Sequence, residues 1–204
     1  MSPLLSQLSP SVTNQIRLDH THVLTAFHQY ETGASARFRK GLVDNVCLAL
    51  EIHTQLEEEI FYPAVRLVSD TEVLRKSTPE HDEMRGLISR LRNMAIEDPL
   101  YDDTFFELMR HVMHHVADEE TLILPAAERL IPEQLPELGA RMARRRLELA
   151  GSRAPELASS MARSMSMGTM LAAGSAALAG AYLLTRSRYP DRLAGTRRRM
   201  TPTP

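Results

Sequence analysis

The chain has no tryptophan and a single cysteine, Cys47. One thiol excludes an internal disulfide framework and fits a reducing compartment. Cys47 lies among Val46, Leu48 and Leu50, so it reads as a buried, inert thiol rather than a nucleophile. Glycine is scarce, at 9 of 204 residues, and aromatics make up 5%. With so few of both, and with long stretches of helical period, the composition points to an all-α protein. No basic region followed by an apolar run opens the chain, so a secretory signal is not expected. Net charge is close to balanced at −2, but the two signs are segregated. Residues 1–140 carry 12 Lys+Arg against 23 Asp+Glu, a balance of −11; residues 141–204 carry 12 Arg against 3 acids, a balance of +9. An acidic domain with a basic tail suggests an anionic surface as the tail's partner, although arginines on a solvated helix account for part of it.

What the chain does have is a repeated unit. His53-Thr-Gln-Leu-Glu57-Glu58, followed by Pro63-Ala64, returns as His115-Val-Ala-Asp-Glu119-Glu120, followed by Pro125-Ala126. On a helix, positions four apart share one face. Each copy therefore aims an imidazole and a carboxylate in one direction. Two such helices facing each other bring two His and two Glu together, which is how helical bundles build a two-metal carboxylate site.

The helices follow from apolar period and caps. The first runs from about Pro10 or Val12 to Glu31, with Ile16, His20, Val23, Phe27 and Tyr30 inward. The second follows a turn at Thr32-Gly33, with Ser35 as N-cap, and runs to about Leu67. Its inward face is Val46, Leu50, His53, Glu57 and Ile60, and Pro63 should kink its end. The third spans about Asp70 to Ala95, with Leu74, His81, Met84, Ile88 and Leu91 inward and a break expected at Pro79, capped by Thr78. The fourth starts at an Asp102 or Asp103 cap and runs to about Leu130. Its stripe is Phe105, Leu108, Val112, His115, Glu119, Leu122 and Ala126. A shorter basic helix covers about Pro132–Ala150.

The polar residues on these apolar stripes are His20, His53, Glu57, His81, His115 and Glu119. A buried unpaired carboxylate costs several kcal/mol, so Glu57 and Glu119 need a partner, and a metal would serve. Nitrogen and carboxylate ligands suit iron, manganese or zinc. Glu58 and Glu59 read as solvated. His111, one turn before His115, is a candidate outer partner, and His22, His28 and His114 fall on the surface.

On these residues the chain resembles the hemerythrin-like family with its HHE cation-binding domain. The matching features are Asp19-His20, the two His-x-x-x-Glu-Glu units with Phe61-Tyr62-Pro63 and Leu124-Pro125, and Glu80-His81. The resemblance covers roughly residues 12–150. It implies an up-down four-helix bundle and a non-haem di-iron centre, two irons per chain, with manganese or zinc as lesser alternatives. It further implies His20, His53, His81 and His115 as terminal ligands and Glu57 and Glu119 as bridges. One feature departs from the family's oxygen carriers, which have a histidine four residues after the one in the third helix. Arg85 stands there. That favours sensing, peroxide chemistry or iron handling over reversible oxygen carriage.

The functional expectations are three. The protein binds or senses oxygen, peroxide, nitric oxide or iron; or it consumes peroxide or nitric oxide as a di-iron enzyme, with Tyr30, Tyr62 or His111 as proton donor; or it is a metal-stabilised docking module at a membrane. The expected organisation is a flexible start at 1–11, the bundle at 12–150 and a hinge at 151–163. An uncharged small-residue helix follows at 164–185, then a basic disordered tail at 186–204. The 164–185 segment is long enough to cross a bilayer, and its Ala172, Ala176 and Gly180 also permit homo-oligomer packing. The expected location is the cytoplasm, with the tail on the inner face of the membrane and no nucleic-acid partner.

Overall fold

The computed structural model describes residues 10–164. The expectations for a loose start, for the 164–185 helix, with its membrane or oligomer roles, and for the 186–204 tail fall on or run into residues outside this span. No helix among the described residues is long and apolar enough to cross a membrane.

The described part is helical throughout. Helix α1 is Val12–His28, capped by Ser11, whose Oγ accepts from the Asn14 N–H at 3.3 Å. Helix α2 is Ala36–Leu56, capped in the same way by Ser35. It continues without interruption through a π-turn at Glu57–Phe61 into α3, Tyr62–Arg66. Helix α4 is Glu72–Asn93 with Thr71 as cap. Helix α5 is Tyr101–Asp118, followed by a second π-turn at Glu119–Ile123 and α6, Leu124–Leu130. A 3₁₀ turn at Pro132–Gln134 leads to α7, Leu135–Ser152, and then α8, Ala154–Ser164. Four rods, α1, α2–α3, α4 and α5–α6, joined by short loops, make the bundle. Helix α7 lies on α1 and α2, and α8 lies on α2.

Several boundaries differ from the sequence reading, each for a local reason. Pro79 does not break α4; the helix carries it through on its exposed side, between buried Ser77 and His81. Asp102 and Asp103 sit inside the first turn of α5, and Asp98 instead accepts from the Leu100 N–H at 2.9 Å. Asp102 is taken up by Arg39 at 2.6 Å and by the Tyr30 hydroxyl. The expected hinge at 151–163 is a one-residue break at Arg153, after which α8 docks on α2. Ser160 and Arg163 hold that contact through Asn45 and Asp44. Arg153 itself pairs with Glu51.

The π-turns are the least anticipated feature. Proline lacks the N–H that an α-helix needs four residues on. In each copy the bond pattern widens just before it: the Tyr62 N–H reaches Glu57 O, and the Leu124 N–H reaches Glu119 O. A π-turn adds one residue to the helical phase. The inward stripe therefore shifts from 122 and 126 to Ile123 and Ala127, and Leu122 is 51% exposed.

The buried side chains form two apolar clusters along the rods. One runs from Val23 and Phe27 through Val43, Leu50, Ile88, Phe105 and Val112; the other from Val12 and Ile16 through Leu56, Phe61, Leu74, Leu124 and Met142. On each rod the polar site residues fall where one cluster gives way to the other. Cys47 is buried in the first cluster, and burial pushes its thiol up to about 12, so it is inert as read.

Helix α8 approaches α2 as closely as glycine allows. A Cβ on Gly41 would stand 2.6 Å from the Ser164 backbone nitrogen. A helical Gly→Ala change ordinarily gains up to about 1 kcal/mol in propensity, but a backbone clash outweighs it. Gly41→Val is expected to release α8 and expose Arg153 to trypsin while metal content stays at the wild-type level. Unchanged proteolysis would show that the contact is not needed to hold α8.

Candidate metal centre

The six stripe-breaking polar residues converge in the structure. His20 comes from α1, His53 from α2 and His81 from α4. Glu57 and Glu119 open the two π-turns, and His115 is one turn upstream of the second. All six are buried, and Glu57, His81 and Glu119 are 0% exposed. Their ligand-type atoms form two groups, His20, His53, Glu57 and Glu119, and Glu57, His81 and His115, which share Glu57. His20 Nε2 lies 3.0 Å from Glu119 Oε2, and His53 Nε2 lies 3.3 Å from Glu57 Oε2. On the other side His81 Nε2 is 3.5 Å from Glu57 Oε2 and 3.0 Å from His115 Nε2. His115 Nε2 is 3.5 Å from Glu119 Oε2.

A cation fits this set on a specific observation. Glu57 Oε1 is buried with no hydrogen-bond partner. An orphaned carboxylate oxygen among imidazole nitrogens is costly unless something positive binds it. With the Nδ1 atoms of His81 and His115 both donating to acids, their Nε2 atoms 3.0 Å apart both present lone pairs, an arrangement that a cation relieves.

Each histidine is oriented by an acid at its other nitrogen. Glu120 accepts from His20 Nδ1 at 2.8 Å, Asp19 from His53 at 3.3 Å, Glu58 from His81 at 2.8 Å and Glu80 from His115 at 2.9 Å. Such carboxylates fix the tautomer, leaving Nε2 free to coordinate, and raise ligand basicity. The apolar stripes do not mark this ring, and Glu58, which reads as solvated in the sequence, belongs to it. A signal was present: each acid is the chain neighbour of a site residue, in Asp19-His20, Glu57-Glu58, Glu80-His81 and Glu119-Glu120. Each one reaches across to a histidine on another rod.

Arg85 also has a defined place. Its guanidinium binds Glu58 Oε1 at 3.1 and 3.0 Å and Asp82 at 2.7 Å. It braces the acid that holds His81. The interior residue beside His81 and His115 is instead Tyr62. Its hydroxyl lies 2.8 Å from Glu119 Oε1, 3.3 Å from Glu57 Oε2, 3.4 Å from His81 Nε2 and 3.5 Å from His115 Nε2. The other proton-donor candidates are elsewhere: Tyr30 bonds Asp102, and His111 pairs with Glu83 at 3.1 Å on the rim.

The electrostatics are those of a metal-ready site. Burial, then the adjacent His115, pushes His81 down to about 2, so the ring is neutral. Burial also lowers His53. Burial alone would lower His20, but the Glu119 hydrogen bond and charge outweigh it and raise it. Burial and the Glu119 charge push Glu57 well above the usual carboxylate range, so the metal-free pair keeps a proton. Burial acts the same way on Glu119, but His115 and the His20 hydrogen bond outweigh it and hold Glu119 low. Cations compete with that retained proton. Metal affinity should therefore rise with pH above the usual carboxylate range, with proton release on loading. A pH-independent affinity with no proton release would contradict the protonated Glu57.

A small cavity of about 10 Å³ adjoins the site. Asp19, His20, His53 and His115 line it together with Val23, Leu50, Met84, Val112 and Val116.

Comparison with known proteins agrees with this geometry. Residues 11–127 match the family model described as the hemerythrin HHE cation binding domain. A protein from Nostoc sp. named DNA nickase is 25% identical over 116 residues, which is 57% of this chain and 33% of that protein; the chain thus spans about a third of this relative's length. The crystal structure of a hemerythrin HHE cation binding domain-containing protein from Mycobacterium kansasii superposes with a TM-score of 0.62 at 22% identity. It covers 76% of this chain and 99% of its own, a likeness of fold. A metal-binding His/Glu cluster between the rods of a four-helix bundle, with the family model matched across it, is the shared ground, and the chain belongs to the hemerythrin HHE cation binding domain family.

Proposed function

We propose that this chain holds two irons and binds a small oxidant, namely dioxygen, peroxide or nitric oxide, beside them. The carrying observation is the pair of ligand groups sharing Glu57 next to a cavity of about 10 Å³. His20, His53 and Glu119 would hold one ion and His81 and His115 the other, with Glu57 between them. Two carboxylates offset part of the charge, and six nitrogen and oxygen ligands of this kind suit iron, with manganese or zinc as competitors. When bound, such a pair supplies redox equivalents and open positions for a small ligand.

The protein's own residues set the limits of that chemistry. The cavity has room for about one water-sized molecule, so organic substrates are excluded. Its apolar wall of Val23, Leu50, Met84, Val112 and Val116 favours a weakly hydrated guest. Tyr62, with its phenol at the carboxylates, can give a proton at Glu119 Oε1. That observation favours the second reading, consumption of peroxide or nitric oxide, over reversible carriage. The activity named for the Nostoc relative is not carried over, because the match covers 33% of that protein.

The test is metal analysis and an optical spectrum of full-length protein loaded without air. Two irons per chain and a spectral change on adding nitric oxide or peroxide are expected. Leu50→Phe should fill the cavity, keep the metal and suppress the response. One iron or none, or a loaded centre indifferent to both ligands, would overturn the reading.

A further inference from the structure

We infer that α7, which lies beyond the family-matched residues 11–127, belongs to the metal site, with Arg146 as a positioning residue for His53. The inference rests on the metal reading above. Arg146 grips both oxygens of Asp19, with Nη1 at 3.0 Å from Oδ1 and Nη2 at 2.7 Å from Oδ2. Asp19 Oδ2 in turn accepts from His53 Nδ1 at 3.3 Å, and the far nitrogen of His53 faces Glu57. Asp19 is also the acid in the wall of the small cavity. The link from the appended helix to the ligand atoms is therefore two hydrogen-bonded steps long.

The same arrangement occurs twice inside the matched bundle. Arg17 binds Glu120, which holds His20, and Arg85 binds Glu58, which holds His81. For His53 the corresponding arginine comes from outside. A carboxylate held at one oxygen can rotate, whereas one held at both by a planar guanidinium cannot. With Asp19 fixed, His53 keeps its proton on Nδ1 and its lone pair on Nε2. With Asp19 released, the imidazole can turn about its broad χ2 torsion and lose that preference.

Helix α7 is built to sit in one place. Gln15 Nε2 donates to Gly139 O at 2.8 Å within the protein interior. A Cβ on Gly139 would stand 2.3 Å from Pro10 O, so the backbones touch where only glycine fits. Arg145, the neighbour of Arg146, binds Glu59 on the first π-turn at 2.8 Å. Glu59 orients none of the four histidines, and Arg145 thus separates docking of α7 from positioning of His53.

The experiment uses full-length protein and ferrous iron, with affinity read by chelator competition without air and the optical spectrum of the loaded site recorded. Arg146→Met is expected to weaken iron binding about 10- to 100-fold, the usual effect of removing an orienting partner, and to change the spectrum. Arg145→Met should leave both near wild type. Arg146→Met and Asp19→Asn together should cost little more than Asp19→Asn alone, because both act on His53. Arg146→Lys should not restore the wild-type affinity, since an ammonium cannot grip two oxygens in a plane. Metal-free melting curves confirm that each variant is folded. Wild-type affinity in Arg146→Met, equal losses in Arg145→Met and Arg146→Met, or fully additive losses with Asp19→Asn would each overturn the inference. A wild-type protein that takes up no iron would overturn the metal reading and this inference with it, and is told apart from the other outcomes by the wild-type measurement alone.

Discussion

Glu57→Gln and Glu119→Gln are expected to empty the centre while leaving the metal-free protein folded. Burial and the neighbouring Glu119 charge keep Glu57 protonated, and a protonated carboxyl is close in shape and hydrogen bonding to an amide. Glutamine at 57 should therefore change metal-free stability by no more than about 1 kcal/mol. The loaded state is different. Glu57 is common to both ligand groups, so its loss would take an anionic ligand from each. Bound metal stabilises the folded state by about 4 kcal/mol when its free concentration is about 1,000 times Kd. In a domain of this size that is on the order of 10 °C in Tm. The wild type should show this metal-dependent rise, and Glu57→Gln and Glu119→Gln should lack it. Glu58→Gln and Glu120→Gln should fall between, weakening affinity about 10- to 100-fold, because they orient His81 and His20 without lying inside the site. Equal metal content in all four variants, measured by elemental analysis after iron loading, would remove the distinction between acids inside the site and acids that orient its histidines.

That intermediate rank for Glu58 and Glu120 comes from the structure, and the contrast shows what the sequence could and could not yield. Helical period located the six convergent residues because each stands where an apolar side chain belongs. A polar residue in an apolar stripe is a local signal and can be read from one helix at a time. The acids of the orienting ring are not local. Asp19 follows no stripe, and its role depends on His53, 34 residues away on another rod. Its place beside His20 marks it as a candidate, but only the packing of rods shows which histidine it orients. The phase of the inner face was legible up to Glu119 and then slipped, placing Leu122 inside when Ile123 is the buried residue. Period analysis assumes about 100° per residue throughout, and the π-turn that serves Pro125 violates it. The repeat itself contained the warning, since Glu-Glu, four residues and proline occur at the same offset in both copies. The hinge expected at 151–163 fails for a related reason. Gly151 to Pro155 has turn composition, but the face of α8 that meets Gly41, Asp44 and Asn45 restores the helix by tertiary contact.

Tyr62→Phe is expected to have the second-largest effect, and a double one. In the metal-free protein burial, together with the Glu119 charge, pushes the phenol well above its ordinary value of 10, so it is a neutral donor. It gives its hydrogen to Glu119 Oε1 at 2.8 Å. Phenylalanine keeps the ring and its stacking on His81 but leaves a buried carboxylate one donor short. That costs about 1–3 kcal/mol, or several degrees in Tm for a domain of this size. In the loaded protein a cation held by His81 and His115 would oppose the carboxylate charges at the phenol, which favours transfer of its proton. Tyr62→Phe should therefore change the optical spectrum of the loaded site while still holding iron through the remaining ligands. The position explains why Arg85 can stand where oxygen carriers of the family have a histidine: Arg85 turns outward to Glu58, and the inward place next to His81 is held by Tyr62 from the first π-turn's far end. Tyr62→Phe with unchanged Tm and an unchanged visible spectrum would show that the phenol neither supports Glu119 nor reaches the metal.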